Sequence, residues 1–278
     1  GAVDSGLNNY VAQNYSSRHM NWLHCCWGIG ASLGPFIMTW TMAHGGTWRG
    51  GYGHISLMQI VLALVLLLTL KLWKKNGSGT ENASEKHIPG QTSKLFKLPA
   101  AWLGVLLFFV YAGAEFSVGL WANSFLVESR HIPKTSAGLW ITWYYGALMF
   151  GRFVTGLIVN QLGNRTLIRL GLGISGLGAL CLFIPGYPIL LMVGLILMGF
   201  GYGPLYPCMM HETSARFDPA LTRTLIGYQV GTACLGGSLL TAGLGVLLGW
   251  GTLEILLPCL VGMIGTLFLL SEWQNRLS

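Results

Sequence analysis

A few polar groups lie where water is scarce. Asp4, Asn8 and Asn9 fall in the first ten residues, between apolar neighbours. Asp4 and Asn8 are four apart, which places them on one face of a helix. Glu115 stands in the middle of a long apolar run, between Phe109 and Leu120. A carboxylate at such depth costs at least several kcal/mol in a bilayer unless it is protonated, paired or turned to a cavity. Two chemistries suit these groups: exchange of a proton, carried by Asp4 and Glu115, and hydrogen bonding to the hydroxyls of a polar solute, by Asn8, Asn9 and Gln229. Static hydrogen bonds between helices would account for the same residues. His24, near the start of an apolar run, fits a proton relay or an interfacial position. Trp27, Trp121 and Trp143 lie deeper than the other tryptophans, where an aromatic face could stack on a bound solute or simply pack against helices and lipid. The six cysteines lie in or at the ends of apolar runs and read as small packing residues. No nucleophile–base pair and no metal-ligand spacing is present, so the sequence assigns no catalytic residue, no metal and no cofactor.

The elements that must position these groups follow from composition. Of 278 residues, 53% are hydrophobic and only 9% charged, against roughly 25% charged in soluble domains. The apolar runs are Met20–Met42, Ile55–Trp73, Pro99–Phe125, Ala137–Val159, Leu167–Ile184, Pro188–Met209, Leu225–Leu248 and Thr252–Leu270. Each approaches the ~20 residues that cross a hydrocarbon core. They predict an all-α, polytopic membrane bundle of eight complete spans after a partial one, and exclude a soluble enzyme, a disordered chain and a disulfide scaffold. Gly199, Gly201, Gly203, Pro204 and Pro207 predict a local irregularity in the sixth run. The 40 glycines fit helices that approach closely.

Basic residues are unevenly placed. Arg18, Lys71, Lys74, Lys75, Lys86, Lys94, Lys97, Arg152, Arg165, Arg169, Arg216, Arg223 and Arg276 fall on or towards one side, against Arg49, Arg130 and Lys134 on the other. The positive-inside rule then puts the Lys-rich gap and the C-terminus in the cytoplasm. The net charge of +7 is thus topological and implies no nucleic-acid partner. The sequons at Asn14, Asn76, Asn82 and Asn164 all fall on the predicted cytoplasmic side and should stay unmodified. Glu212, Asp218, Glu254 and Glu272, at span ends or in loops, read as interfacial. Arg152, towards the end of its run, reads as snorkelling to the interface or bonding helix-end carbonyls.

One long polar stretch interrupts the pattern. Residues 74–98 are rich in Gly, Ser, Thr, Asn and Lys and read as a flexible cytoplasmic linker. Six spans follow it, in 99–278; two and a half precede it, in 1–73. Gly1–Tyr10 has no basic segment or cleavage site and reads as the second half of a membrane helix. The chain is therefore expected to be part of a longer protein, with about three and a half spans missing from a two-times-six plan. A faint internal echo relates Gly1–Tyr10 and the Gly-rich run from Trp27 to Gly199–Pro207 and Gly231–Gly237.

These features together resemble the major facilitator superfamily. The segment Gly156-Leu157-Ile158-Val159-Asn160-Gln161-Leu162-Gly163-Asn164-Arg165 is similar to that family's cytoplasmic loop signature, and Gly151-Arg152 before it also fits. Gln161 and Asn164 depart from its basic positions. A narrower resemblance is to the fucose permease-like branch of sugar:proton symporters. It is carried by the helix with Asp4, Asn8 and Asn9, by Leu23-His24 with Gly28, Gly30, Gly34 and Pro35, and by Tyr111-Ala112-Gly113-Ala114-Glu115 with Trp121. The resemblance implies alternating access in a plasma membrane, with a small-molecule substrate, a monosaccharide, and protons as partners. It implies a gating role for Gly151, Arg152, Gly156, Asn160, Gly163 and Arg165, and substrate or proton binding by Asp4, Asn8, Asn9, His24, Glu115, Trp121 and Gln229. A proton-driven exporter of amphipathic molecules is the first alternative, and a non-transporting membrane receptor or scaffold the second.

Overall fold

The computed structural model describes residues 2–73 and 98–277. Ten α-helices follow in chain order: α1 (Ala2–Asn14), α2 (Ser17–Ala43), α3 (Trp48–Trp73), α4 (Pro99–Ser124), α5 (Lys134–Leu162), α6 (Asn164–Cys181), α7 (Pro188–Tyr202), α8 (Leu205–Arg216), α9 (Pro219–Trp250) and α10 (Leu256–Arg276). No strand occurs among the described residues. The expected linker lies outside them.

Every predicted apolar run is a helical rod. Five are both long and apolar enough to cross a bilayer: Trp48–Thr69, Pro99–Ser129, Pro188–Arg216, Leu221–Trp250 and Leu253–Arg276. The rods α2, α5 and α6 have 27, 29 and 18 residues, which at ~1.5 Å per residue also reach across hydrocarbon. They are less apolar because they carry Arg18, Asn21 and His24, or Arg152, or Asn164, Arg165 and Arg169. This is an all-α, multi-pass integral membrane protein. Its exposed Leu, Ile, Val and Phe side chains, dense along α3, are ordinary where lipid is the solvent.

The sixth run breaks where its glycines and prolines predict. Pro188–Arg216 is one rod interrupted by a turn at Gly203 and Pro204. Pro204 lacks the N–H that would continue the ladder. Gly203 also lets α7 touch α5: a Cβ there would lie 2.8 Å from the backbone carbon of Gly151 and 2.9 Å from the nitrogen of Arg152. A Cβ on Gly151 would in turn meet the Phe200 carbonyl oxygen. The backbone around Arg152 is thus held directly against the break in the neighbouring rod.

Two long helix–helix contacts frame the centre, the first antiparallel and the second parallel. One joins α2 to α5, with Gly28 against Met149 and Gly156 against Trp22; the other joins α4 to α9, where Trp121 lies over Gly245. The buried aliphatic core runs through α4 to α10. At the end rich in arginine, a polar network closes the bundle. Ser17 donates to Asn164 Oδ1 at 2.7 Å, Asn164 donates to Glu212 at 3.2 Å, and Arg165 and Arg216 reach Glu212 at 3.2 and 3.0 Å. Arg169 binds Glu272 at 2.6 Å. At the opposite end Arg130 pairs with Glu254.

Gly203→Leu should force α7 away from α5 and destabilise the protein by about 1–3 kcal/mol. A thermal-unfolding scan of the detergent-solubilised protein checks this; an unchanged midpoint would mean that the close approach is dispensable.

Candidate functional site

Glu115 is buried mid-helix in α4, at 3% exposure, and Arg152 is equally buried in α5, at 2%. Their nearest nitrogen and oxygen, Arg152 Nη2 and Glu115 Oε2, are 3.6 Å apart. That is ion-pair distance, but longer than the 2.7–2.9 Å of a charge-assisted hydrogen bond. The guanidinium is held from two sides. Its Nη1 donates to the carbonyl of His24 in α2 at 3.1 Å, and its Nη2 donates to the Tyr111 hydroxyl in α4 at 3.4 Å. The Trp27 ring lies 4.8 Å from its carbon centre, a cation–π distance. Arg152 Nε has no partner among the described residues, and neither does the hydroxyl of buried Tyr202.

Arg152 therefore does not snorkel to an interface. The expectation failed because α5 continues for nearly three more turns, to Leu162, and leaves Arg152 level with the middle of α4. Among the described residues, the His24 carbonyl is the one helix carbonyl to which its guanidinium donates.

The pair borders a cavity of about 160 Å³, lined also by His24, Trp27, Phe116, Tyr206 and Cys234. His24 packs on Tyr206 with ring centroids 4.8 Å apart. Its Nε2 lies 2.8 Å from Asn8 Oδ1. With the amide oxygen, which can only accept, facing the ring, Nε2 donates to it and Nδ1 is the ring nitrogen left over. The Tyr144 hydroxyl donates to the Glu115 backbone carbonyl at 3.1 Å. It positions that turn of α4 without engaging the carboxylate.

The remaining expectations divide. Asn8 is fully buried and contributes by orienting His24. Asn9 is half-buried and does not line the cavity. Asp4 belongs to α1, but its side chain lies outside the described residues. Trp121 turns away from the cavity: its indole nitrogen donates to the Thr241 carbonyl at 3.0 Å, and its ring covers Gly245. Gln229 is sealed further towards the arginine-rich end, 2.9 Å from Thr213. Trp121 faces the α4–α9 seam because the rotation of α4 points it there, and Gln229 faces the α8–α9 seam because the rotation of α9 does. Trp27 is the deep tryptophan that borders the cavity, while Trp143 is exposed.

The loop segment also divides. Gly163 has a φ of +76°, the left-handed region that suits glycine, and turns α5 into α6. Asn164 and Arg165 bind Glu212 there. Gly151 and Gly156 are close-contact positions. Asn160 is exposed and takes no part in this network. Glu212, read as interfacial, is a partly buried hub, its side chain 14% exposed. Sequence reasoning missed Tyr206, whose only signal was an aromatic just after the Gly-Pro break, and the placement of Arg152. Among the described residues, no cluster of three His, Cys, Asp or Glu could hold a metal ion.

The described residues thus form a helical membrane bundle with a buried ion pair beside a cavity. Residues 2–241 match the family model of the Major Facilitator Superfamily, and the chain belongs to that family. It is 24% identical over 250 residues to an uncharacterized MFS-type transporter of Yersinia pestis, covering 85% of this chain and 62% of that protein. It is 27% identical over 196 residues to a putative glucose/galactose transporter of Helicobacter pylori, covering 68% of this chain and 44% of that protein. The chain thus spans less than two thirds of the length of these curated relatives. The fold is similar to that of the Escherichia coli fucose:proton symporter, with a TM-score of 0.70 at 16% identity over 97% of this chain and 72% of that one. The same symporter in an outward conformation gives 0.69 at 15% identity, with the same coverage.

Removing one member of a buried pair strands the other, at a cost of about 3–5 kcal/mol where the stranded group stays charged. Arg152→Gln alone should therefore destabilise the protein more than Arg152→Gln with Glu115→Gln. Chemical-denaturation midpoints of Arg152→Gln, Glu115→Gln and the double variant test this; additive losses would mean that the two residues are not coupled.

Proposed function

We propose that this chain is the part of a proton-coupled transporter that holds the proton-carrying group, and that the whole protein takes up a monosaccharide by alternating access. The observation that carries the reading is the Glu115–Arg152 pair, buried yet bordering a cavity. A carboxylate in that position can take a proton when its cation is drawn away and lose it when the pair re-forms. Trp27 offers an aromatic face, and Tyr206 and His24 offer polar edges, to a small hydroxylated solute. The names of the Escherichia coli and Helicobacter pylori relatives support a sugar.

In this reading residues 1–73 belong to one six-helix bundle and 99–278 form the other, joined by a cytoplasmic linker. The bundles rock about the central cavity. The positive-inside bias supports a cytoplasmic linker and C-terminus, and a plasma membrane suits an uptake system. The network around Asn164 and Glu212 then closes the cytoplasmic end.

The test uses the full-length protein in proteoliposomes under an inward proton gradient. The panel holds labelled hexoses, 6-deoxyhexoses and hexuronates. Saturable uptake of at least one sugar is expected, and Glu115→Gln should lower gradient-driven uptake by roughly ten-fold or more, as befits loss of the proton carrier. No uptake of any sugar by folded, inserted protein would retire the reading. Gradient-driven extrusion of lipophilic cations would replace it with the exporter.

A further inference from the structure

The cavity holds a cation with spare hydrogen-bonding capacity. We infer that Arg152 docks the carboxylate of an acidic sugar or related hydroxy acid, and that Glu115 gives up this guanidinium and takes a proton when the substrate binds. This rests on the transport reading above and narrows its substrate to an anion.

Three observations carry it. First, Arg152 is held but not saturated. One terminal nitrogen serves the His24 carbonyl, the other is 3.4 Å from Tyr111 and 3.6 Å from Glu115, and Nε has no partner among the described residues. A guanidinium meets a carboxylate best through two parallel N–H donors; Glu115 offers one long contact instead. A substrate carboxylate approaching from the cavity can make the shorter bonds that Glu115 does not.

Second, the cavity walls match a small acid with a hydroxylated body. Arg152 and Glu115 bring the opposite charges, Trp27 a flat apolar face beside the guanidinium, and Tyr206 and His24 hydrogen-bonding edges. Asn8 fixes the His24 tautomer so that Nδ1 can accept from a substrate hydroxyl.

Third, the charges balance only in one way. The titratable groups facing Glu115 or lining its cavity are Tyr111 on its own helix, Arg152, Tyr144 and Tyr145 from α5, Tyr202 from α7, Tyr206 from α8, Cys234 from α9 and His24 from α2. Arg152 is the one fixed positive charge among them. Once a substrate carboxylate occupies it, Glu115 would be a second anion in a low-dielectric site beside a single cation. Taking a proton from the solution side that the cavity faces removes that charge. On release the substrate leaves as the anion, the proton leaves Glu115, and the Glu115–Arg152 pair re-forms. One proton and one monoanion cross together, so no net charge moves. A neutral sugar carried with one proton would move one positive charge.

The experiment needs no variant for its main arm. The wild-type full-length protein is reconstituted with potassium and valinomycin to clamp the membrane potential. Uptake of a labelled hexose, the matching hexuronate and its uncharged hexuronamide is followed. Expected is hexuronate uptake driven by a pH gradient, unchanged by an imposed potential and not competed by the amide. In a second arm Arg152→Lys keeps the charge but loses the fork, and should raise the KM for hexuronate roughly ten-fold or more. Uptake of the hexose or the amide that is accelerated by an inside-negative potential would overturn the anion inference and leave the sugar–proton reading standing. An unchanged hexuronate KM in Arg152→Lys would remove Arg152 as the docking group. Failure to carry any of the three would remove both readings.

Discussion

Two opposite charges face each other across the gap between α4 and α5, and neither reaches bulk water. Glu115 and Arg152 are each within a few per cent of complete burial. Desolvating either ion alone costs several kcal/mol, so each is tenable here only because of the other. Much of the surrounding architecture serves that mutual dependence. Gly203 and Gly151 bring α7 against the turn that carries Arg152, and Gly28 brings α2 close enough for the His24 carbonyl to accept from it. Tyr144 pins the backbone of Glu115, and Trp27 lies against the guanidinium. The glycine excess is therefore more than a compositional mark of membrane helices. At these positions a Cβ would push apart the rods whose approach makes the pair possible.

The polar contacts at the arginine-rich end are of a different kind. Arg169 with Glu272 and Arg165 with Glu212 involve half-exposed arginines, and pairs of that sort are typically worth about 0–1 kcal/mol each. Glu212 gains more, because it accepts from Asn164, Arg165 and Arg216 together. Through Asn164 the network reaches Ser17 at the start of α2. One end of the α2–α5 seam is thus fastened by several weak bonds, which can be broken one at a time. The centre is fastened by one guanidinium, and losing a partner there strands a buried charge unless another takes its place.

The sequence disclosed depth more reliably than direction. Run lengths located every rod, and the Gly-Pro cluster located the break between α7 and α8, because hydrocarbon thickness and missing backbone donors act locally. Glu115 was legible for the same reason: its distance from either end of an apolar run is a property of the chain alone. Trp121 and Gln229 were not legible. Which way a helix presents a side chain depends on its rotation, and in a bundle coated by lipid the apolar periphery and the apolar core look alike in sequence. α4 illustrates this, since apolar residues surround it on all sides and Glu115 is its sole carboxylate. Arg152 failed differently. Its distance from the end of the run suggested a snorkelling residue, yet the partners that hold it inside come from other helices, Glu115 of α4 and the His24 carbonyl of α2.

The geometry of Arg152 also bears on how motion would be coupled to occupancy. Its guanidinium bonds α2 through the His24 carbonyl while it faces Glu115 on α4. Under the proposed division α2 belongs to one bundle, and α4 and α5 to the other. The same side chain then spans the seam that rocking must shear and the pair that a proton must open. If Arg152 is released from Glu115, its hydrogen bonds redistribute, and the strength of its bond across the seam changes with them. A ligand shifts a conformational equilibrium only by its difference in affinity for the two states. Arg152 supplies a place where that difference can arise, because a bond to the opposite bundle and a bond to the coupling carboxylate compete for one planar group with a fixed number of donors.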